Sequence, residues 1–363
     1  MYFLKIAVLS LLSRVSTAVP ISDDENTLVL LNVLFRHGDR TPEPIEMYPK
    51  DPYGNQSYYQ EGLGELTKAG KRREFNIGRA LRKRYGLFLG SYKSSEVIPI
   101  TTDYIRTKMS CLLVLAGLYP PNQHQIWEEG FNWIPIPYNH GHRETDYLLG
   151  DPIDVCPKFI KAYNEYWTKE NEMIQNKNKN LYDYVSESTG LNIQKPRDLY
   201  NLQFVLAAQE AMGLELPPWA KSVWPENITI AAVEEYYLTF ATPEMKKLSG
   251  GFFLRKIIEN TEHKIANNSN DESKIYLYSA HENNVAYPLM IFDAFHPHIP
   301  PYGSYIVIEI HKIDNVYGVK VLYEDYTKVT PTYINILDCG EFCPFEKFKQ
   351  LTKESIPASD ETC

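Results

Sequence analysis

Two arginines flank a histidine near the start of the chain, in the Arg36–Pro42 segment, Arg-His-Gly-Asp-Arg-Thr-Pro. Histidine is a nucleophile, a base or a metal ligand, and the planar fork of an arginine matches phosphate oxygens. Two cations this close repel each other unless a dianion or several carboxylates lie between them. Gly38 allows the backbone to turn sharply and to approach a ligand closely. The segment therefore predicts an anion-binding site, with the alternative that His37 is only structural.

The elements around this segment are typical of a layered α/β domain. Thr27–Phe35 is a near-continuous apolar run of strand length, which favours a buried strand that ends at the charged segment. A helix is predicted over Thr67–Tyr85, with Thr67 as its N-cap and Gly86 after it. A strand over Val97–Thr101 and a helix over Asp103–Tyr119 follow. Ligand sites of such sheets lie beyond the carboxyl ends of the strands, which is where the charged segment is placed.

Strand patterns return late in the chain. Lys274–Ser279 and Tyr305–Ile313 are both predicted strands. Tyr317–Tyr323 is predicted to pair antiparallel to the second of them across a turn at Asp314 and Asn315. These strands belong with the first ones in a single sheet.

The middle of the chain follows a different pattern. From about residue 155 to about residue 265 the sequence predicts one helix after another, separated by polar turns. We therefore expect an α/β domain made of residues 19–130 and 251–363. A mostly helical insertion, residues 131–250, would interrupt it and cap the site.

The Arg36–Pro42 segment also matches the R-H-G-x-R-x-P signature of the histidine acid phosphatases. Further blocks match this family in the same order along the chain. They are Gly62–Gly70, Thr102–Thr107, Ser279–Glu282, Pro300–Tyr302 and Cys339–Cys343. The chain is identified as a member of this family and resembles its secreted animal members of the prostatic, lysosomal and insect-venom type. The resemblance implies a phosphoglycerate-mutase-like α/β fold, a mixed sheet flanked by helices, with a mostly helical inserted cap.

The resemblance implies hydrolysis of phosphate monoesters, on small molecules or proteins, with an acidic pH optimum. His37 would attack phosphorus and form a phosphohistidine, which water then hydrolyses. The phosphate would be bound by Arg36, Arg40, Arg106 and His281. Glu282 would donate the proton to the leaving oxygen. No metal and no cofactor are expected, because fixed arginines stabilise the charge of the transferred phosphoryl group.

Three positions depart from the family pattern. Glu282 stands where the family has aspartate, Thr101 where it has arginine, and Ile105 where it has a second aspartate. Because a general acid must reach the leaving oxygen, the extra methylene of Glu282 leaves water as an alternative proton source. These departures support a second hypothesis, a low-activity secreted protein that binds a phosphate ligand. Asp39, inside the signature, is predicted to be a structural partner of an arginine.

The charge of the chain bears on its partners. The formal charge is −9, from 37 basic and 46 acidic residues. Such a chain has no general attraction for nucleic acid, so we expect none to bind. A third hypothesis, a phytase-like phosphatase, would require a strongly basic pocket for several phosphates, and the acidic composition gives no sign of one.

The first residues resemble a cleaved secretory signal. Met1–Leu12 is apolar apart from one early lysine, and Ser16-Thr17-Ala18 supplies small residues for cleavage after residue 18. A buried N-terminal helix is the alternative. Since no other stretch reaches the ~18 apolar residues of a membrane span, no membrane anchor is expected. We therefore predict an extracellular protein in preference to a lysosomal one.

Five cysteines in an oxidising compartment leave one unpaired or intermolecular. Cys339 and Cys343 lie in one short turn and are expected to form a local disulfide, although a zinc site is the alternative. Cys156 and Cys363 would then tie the chain end to the middle. Cys111 lies in an apolar run and is predicted to be a buried free thiol.

Asn55, Asn227 and Asn267 are glycosylation acceptor sites by sequence, in keeping with secretion. The segment Trp133–Pro137 resembles the one through which vertebrate relatives pair, so the resemblance implies a homodimer.

Two histidine pairs have a spacing compatible with metal binding, His140 with His142 and His296 with His298. Both pairs lie in loops rich in Asn and Gly or in Pro. We interpret them as loop residues and expect no metal there.

Overall fold

The computed structural model describes residues 26–267 and 270–363. The predicted signal, residues 1–18, lies outside the described residues. The described chain has an eight-stranded sheet in the order β3-β2-β4-β1-β5-β6-β7, and β8 also pairs with β6. The strands are β1 (Leu28–Arg36), β2 (Val97–Thr101), β3 (Asn139–His140), β4 (Ile275–Ala280), β5 (Tyr305–Ile313), β6 (Val316–Glu324), β7 (Thr332–Ile334) and β8 (Cys343–Pro344).

The sheet is mixed. Strands β3, β2, β4 and β1 run parallel to one another, whereas β5 pairs antiparallel with β1 and β6 antiparallel with β5. The β5–β6 hairpin turns at Asp314 and Asn315, whose φ angles are 48° and 65°. Asn and Asp adopt such left-handed angles more readily than most residues, which is why this pair marks the turn in the sequence. The predicted antiparallel pairing is confirmed.

The helices are α1 (Lys68–Leu89), α2 (Ile105–Leu118), α3 (Pro152–Val155), α4 (Pro157–Thr189), α5 (Pro196–Ala211), α6 (Glu226–Leu238), α7 (Pro243–Lys246), α8 (Phe252–Asn267), α9 (Glu282–Ile291) and α10 (Phe345–Thr352). Thr67 caps α1 as predicted, because its side chain accepts a hydrogen bond from the Gly70 backbone N–H. The predicted end at Gly86 is wrong. The helix continues to Leu89, which is buried in the core, and ends at Gly90 with a φ of 65°.

Helices cover both faces of the sheet, and the apolar run of β1 explains how. Leu31, Val33 and Phe35 pack with apolar side chains of α1 and α2 on one face. Leu30 and Leu34 pack with those of α8, α9 and α10 on the other. Because successive strand residues point to opposite faces, a strand buried on both sides is apolar throughout. The prediction of a mixed sheet flanked by helices is confirmed.

The helices of the middle segment build their own core and also contact the sheet layer. Apolar side chains of α4, α5 and α6 form one cluster. Tyr200 and Phe204 of α5 and Tyr236 of α6 pack with Ala286 of α9. The middle segment thus reaches the carboxyl edge of the sheet, while the predicted domain boundaries stay a prediction. Among the described helices, none has both the length and the apolar character that crossing a membrane requires.

Two disulfides are present, between Cys156 and Cys363 and between Cys339 and Cys343. These are the pairs expected from the sequence, and the second replaces the zinc alternative. Cys111 is buried and unpaired. Burial raises the pKa of its thiol, so it stays protonated and unreactive.

Candidate active site

The parallel strands bring the sequence blocks together at their carboxyl ends. Arg36 is the last residue of β1, Thr102 follows β2, and His281 follows β4. Arg106 lies in the first turn of α2 and Glu282 is the first residue of α9. Adjacent parallel strands end at the same edge of a sheet, so residues far apart in sequence meet there.

Gly38 was expected to let the backbone approach a ligand, but in the structure it lies against the backbone of Gly70. A Cβ atom at Gly38 would lie 2.6 Å from the carbonyl oxygen of Gly70, and one at Gly70 would lie 2.1 Å from that of Asp39. The glycines therefore allow the start of α1 to pack directly on the Arg36–Pro42 segment, and the close approach is to backbone rather than to a ligand. Asp39 accepts hydrogen bonds from Arg73 of α1 at 2.6 and 3.1 Å. The prediction that Asp39 partners an arginine is confirmed.

His37 is held as a neutral imidazole. Its side chain is 1% exposed, and its Nδ1 atom lies 2.9 Å from the Gly38 carbonyl oxygen. Because a carbonyl only accepts, Nδ1 carries the proton and Nε2 keeps its lone pair. Burial, then Arg106 and Arg36, lower the pKa of His37 well below its ordinary value. The ring therefore keeps a free lone pair on Nε2 even in acid, where an ordinary histidine is protonated.

Three guanidinium groups surround His37 and retain unused hydrogen-bond donors. Nε and Nη2 of Arg36, Nε of Arg40 and Nε of Arg106 are buried and have no hydrogen-bond partner among the described residues. An unsatisfied buried donor costs about 1–3 kcal/mol, and more when it is charged. Arg36 is fixed besides, since Nη1 donates to the Pro300 carbonyl at 2.6 Å and its guanidinium carbon lies 3.9 Å from the Tyr302 ring centre. An anion among these donors would satisfy them.

Each of the three guanidinium groups also has a near carboxylate partner, and Arg40 Nη2 lies in addition 3.9 Å from Glu43 Oε1. The pairs are Arg36 Nε with Glu282 Oε2 at 3.4 Å, Arg40 Nη1 with Glu46 Oε2 at 2.8 Å, and Arg106 Nη2 with Glu43 Oε1 at 2.7 Å. Carboxylates therefore relieve the repulsion between the arginines, which was the reason for predicting an anion from the sequence. The anion prediction rests instead on the unused donors.

The surroundings of Glu282 favour its ionised form. It is 8% exposed and accepts a hydrogen bond from the Tyr200 hydroxyl of α5. Burial opposes its ionisation, but Arg36, His281 and that hydroxyl outweigh burial and lower the pKa of Glu282 to about 2. Proton donation by Glu282 therefore requires a change in its surroundings.

His281 faces His37, with ring centres 5.5 Å apart. Its Nε2 atom shares a hydrogen bond with Thr102 Oγ1 at 3.0 Å. Burial and Arg106 lower the pKa of His281 to about 3, against the opposing effect of Glu282. The ring is thus a neutral hydrogen-bonding group in the acid range.

His37, Arg40, Arg106, His281 and Glu282 line an open cavity of about 770 Å³. The rest of its charged lining is mainly acidic: Asp103, Glu144, Asp146, Asp151 and Asp154 accompany Arg143 and Arg197. Asp103 is ion-paired with Lys108, and Asp151 is ion-paired with Arg197. The cavity therefore offers cations for one phosphate beside His37, and acidic side chains outnumber basic ones in the rest of its lining.

The second histidine pair lies outside this cavity. His296, His298 and Asp325 have potential ligand atoms within 4.8 Å of one another. The two rings stack with centres 4.1 Å apart, and His298 uses both nitrogens, toward the His296 carbonyl and the Tyr323 hydroxyl. A metal would have to displace these bonds.

Several contributors were not identified from the sequence. Glu43 and Glu46 follow Arg40 by three and six residues, and this short spacing could have predicted ion pairs with Arg40. Tyr200 and Tyr302 reach the site only through tertiary packing. Ile105, which stands where the family has an aspartate, is 63% exposed and supplies no carboxylate to the site. Arg106 takes its carboxylate from Glu43 instead.

The three predicted acceptor asparagines, Asn55, Asn227 and Asn267, are all exposed. The other two residues of the third acceptor site, 268 and 269, lie outside the described residues.

Comparison with known proteins agrees with this geometry. The sequence profile of the histidine phosphatase superfamily (branch 2) matches residues 27–324. Over 334 residues the chain is 38% identical to a venom acid phosphatase of Apis mellifera, covering 91% of this chain and 86% of that protein. Over 359 residues it is 31% identical to the lysosomal acid phosphatase of Homo sapiens, covering 97% and 83%.

A solved structure shares the fold. Hafnia alvei phytase in complex with myo-inositol hexakis sulphate has a TM-score of 0.67 at 17% identity, covering 92% of this chain and 98% of that one. At this identity the likeness concerns the fold alone. The profile match over most of the chain and the 38% identity to the venom acid phosphatase show that this protein belongs to branch 2 of the histidine phosphatase superfamily.

Proposed function

We propose that the protein is a secreted acid phosphatase that hydrolyses phosphate monoesters through a phosphohistidine at His37. The observation that carries the proposal is the set of buried, unused guanidinium donors around a buried imidazole of lowered pKa that lines the open cavity. The names of the similar venom and lysosomal proteins support the same activity.

In the first step, His37 Nε2 attacks phosphorus while the bond from phosphorus to the leaving oxygen breaks. Arg36, Arg40 and Arg106 donate hydrogen bonds to the three remaining oxygens, and fixed donors need no reorganisation as charge shifts. Glu282 gives its proton to the leaving oxygen, so that an alcohol departs. The products of this step are the alcohol, a phosphohistidine and the Glu282 carboxylate.

In the second step, water attacks the phosphohistidine and gives a proton to Glu282. The bond between nitrogen and phosphorus breaks, which restores neutral His37 and releases phosphate. The first step requires His37 without a proton on Nε2, and its lowered pKa meets that requirement in acid.

The bound phosphate itself prepares Glu282 for donation. In the empty site Arg36 stabilises the Glu282 carboxylate. A phosphate dianion beside Arg36 offsets that field and raises the pKa of Glu282. An acidic medium then supplies the proton, which supports an acidic pH optimum. The scheme requires no metal, because the guanidinium groups supply the positive charge.

The proposal places the protein outside the cell or in a lumen. Its two disulfides suit an oxidising compartment, and the relatives are named as venom and lysosomal enzymes. Glycosylation of the exposed asparagines belongs to the same proposal. So does a homodimer through Trp133–Pro137, which is supported by exposed Trp127 and Phe131 nearby and by the edge position of β3.

The phytase-like alternative has the fold likeness in its favour. The excess of acidic over basic residues in the rest of the cavity lining opposes it, because a second or third phosphate would meet carboxylates such as Glu144 and Asp154. Comparing the turnover of a simple monoester with that of inositol hexakisphosphate distinguishes the two.

The deciding experiment measures p-nitrophenyl phosphate hydrolysis over about pH 4 to 8, with EDTA present, for the native protein and for His37→Ala. We expect turnover that is highest in acid, survives EDTA and disappears in the variant. Stopping the reaction with alkali and isolating an alkali-stable, acid-labile phosphoprotein would identify the intermediate. A folded native protein without turnover would refute the enzyme and leave the hypothesis of a phosphate-binding protein.

A further inference from the structure

The two terminal nitrogens of the Arg40 guanidinium group are held by hydrogen bonds. Its Nη1 donates to Glu46 Oε2 at 2.8 Å, and its Nη2 donates to Glu46 Oε1, so the pair is bidentate. Nη1 also donates to the Thr41 carbonyl at 3.0 Å. Glu46 is itself 5% exposed and accepts the backbone N–H of Glu43 at 2.8 Å. The terminal nitrogens of Arg40 are thus engaged, and Nε is the buried donor left without a partner.

Arg106 is fixed in a similar way. Its Nη2 lies 2.7 Å from Glu43 Oε1, and its guanidinium carbon lies 4.5 Å from the Tyr104 ring centre. Space for Glu43 comes from Gly64, whose φ is 74° and where a Cβ would lie 3.2 Å from Glu43 Cγ. Nε of Arg106 is again the buried donor without a partner.

We propose that Glu43 and Glu46 are positioning residues that hold Arg106 and Arg40 with their Nε–H donors turned toward the phosphate. A free arginine loses rotamer freedom when it binds an anion, and prior ion pairing removes part of that loss. The two carboxylates also offset two of the three positive charges, so the guanidinium groups stay together in the empty site. This inference rests on the proposed function and names two acidic residues that the reaction needs although they do not touch the reacting atoms.

A double-mutant cycle tests the inference. Glu43→Ala should lower kcat/KM and weaken the binding of inorganic phosphate, each by about tenfold, because it frees Arg106. In an Arg106→Ala background the same change should alter both by clearly less than in the native background, since only the longer 3.9 Å contact of Glu43 Oε1 with Arg40 Nη2 remains. In a second cycle, Glu46→Ala should likewise have a smaller effect in an Arg40→Ala background than in the native one. Equal effects of Glu43→Ala in both backgrounds would overturn the inference.

Two further variants separate positioning from loss of structure or of charge. Glu43→Gln keeps an acceptor for Arg106 and should retain more phosphate affinity than Glu43→Ala. Glu65→Ala removes a carboxylate from the same region, and Glu65 makes no ion pair with any described residue; this variant should match the native protein. If the alanine variants fail to fold by circular dichroism, Glu43→Met and Glu46→Met, which keep the side-chain length but supply no oxygen acceptor, enter the cycle instead, where no coupling would again overturn the inference.

Calorimetric titration with inorganic phosphate distinguishes failure of this inference from failure of the proposed function. A native protein that binds phosphate but does not turn over refutes the enzyme and leaves the cycle measurable. A native protein that binds phosphate as tightly as its Glu43→Ala variant refutes the positioning role alone. A native protein that neither binds phosphate nor turns over substrate refutes both the proposed function and the positioning role.

Discussion

Nε of Arg36 lies 3.4 Å from Oε2 of Glu282, so the expected proton donor is ion-paired with a cation expected to bind the phosphate. The two functions are therefore coupled through charge. Phosphate competes with Glu282 for the field of Arg36, and a carboxylate that loses this field binds a proton more readily.

Phosphate binding should therefore drive a proton onto Glu282. The pKa of Glu282 is lowered to about 2 in the free protein, so near pH 5 the carboxylate is charged before binding and is driven toward protonation after it. Titration calorimetry with inorganic phosphate near pH 5, in buffers of different ionisation enthalpy, measures the net number of protons exchanged. Inorganic phosphate is mainly a monoanion at this pH and releases a proton if it binds as the dianion, so the native protein is compared with Glu282→Gln, for which that release is the same. We expect the native protein to take up as much as about one proton more than the variant. Equal proton exchange in the two proteins would contradict the coupling.

Glu282→Gln should slow the hydrolysis of an alkyl phosphate by about 10²–10⁴-fold, because an alkoxide leaves only with a proton. The release of p-nitrophenolate, a stable anion, should be slowed less in single turnovers. Glu282→Asp, which keeps the acid, should retain more alkyl phosphate turnover than the glutamine variant. Equal losses for the two substrates would show that Glu282 does not protonate the leaving group.

Tyr200→Phe should raise the pKa of Glu282, because it removes a hydrogen bond to the ionised carboxylate. With a higher pKa, Glu282 stays protonated to higher pH in the complex. The alkaline limb of the His37 phosphorylation rate, measured in single turnovers at saturating alkyl phosphate, should move upward in pH. Tyr184→Phe, on α4 and away from the cavity, serves as the control. An unmoved limb would mean that Tyr200 does not act on the acid.

Glu74 links the stability of the protein to acid. It is completely buried in α1, neither of its oxygens has a hydrogen-bond partner among the described residues, and burial raises its pKa well above the ordinary 4.5. The unfolded chain ionises Glu74 above about pH 4.5, whereas the folded chain keeps it neutral. Its contribution to stability is therefore full below that pH and is lost as pH rises toward the folded value.

Glu74→Gln cannot ionise in either state. The thermal midpoint of this variant should fall less than that of the native protein between about pH 5 and pH 8. Glu65→Gln, a partly exposed position, should follow the native pH dependence. Parallel midpoints for Glu74→Gln and the native protein would show that the loss of stability with rising pH originates elsewhere.

Local patterns predicted the elements that carry the site because their physical causes are local. The apolar run of β1 indicates a strand buried on both faces, and Val97–Thr101 and Tyr305–Ile313 are strands with the predicted bounds. The helix α1 was predicted to end before Gly86, but it continues to Leu89. A glycine weakens a helix by only about 1 kcal/mol, and burial of Leu89 outweighs that.

The sequence by itself determined the chemistry: a histidine between arginines after a buried strand, a second histidine followed by an acid, and a third arginine at a helix start. Residue type and spacing are enough for that, since they decide which atoms can attack, donate or bind an anion. Only the tertiary structure decided the protonation states and the partners. The shared edge of the parallel strands joins Arg36, Arg106 and Glu282 across more than two hundred residues of chain, and burial beside those charges lowers the pKa of His37 and Glu282. Burial and through-space charge depend on what packs around a group, and no local pattern contains that information.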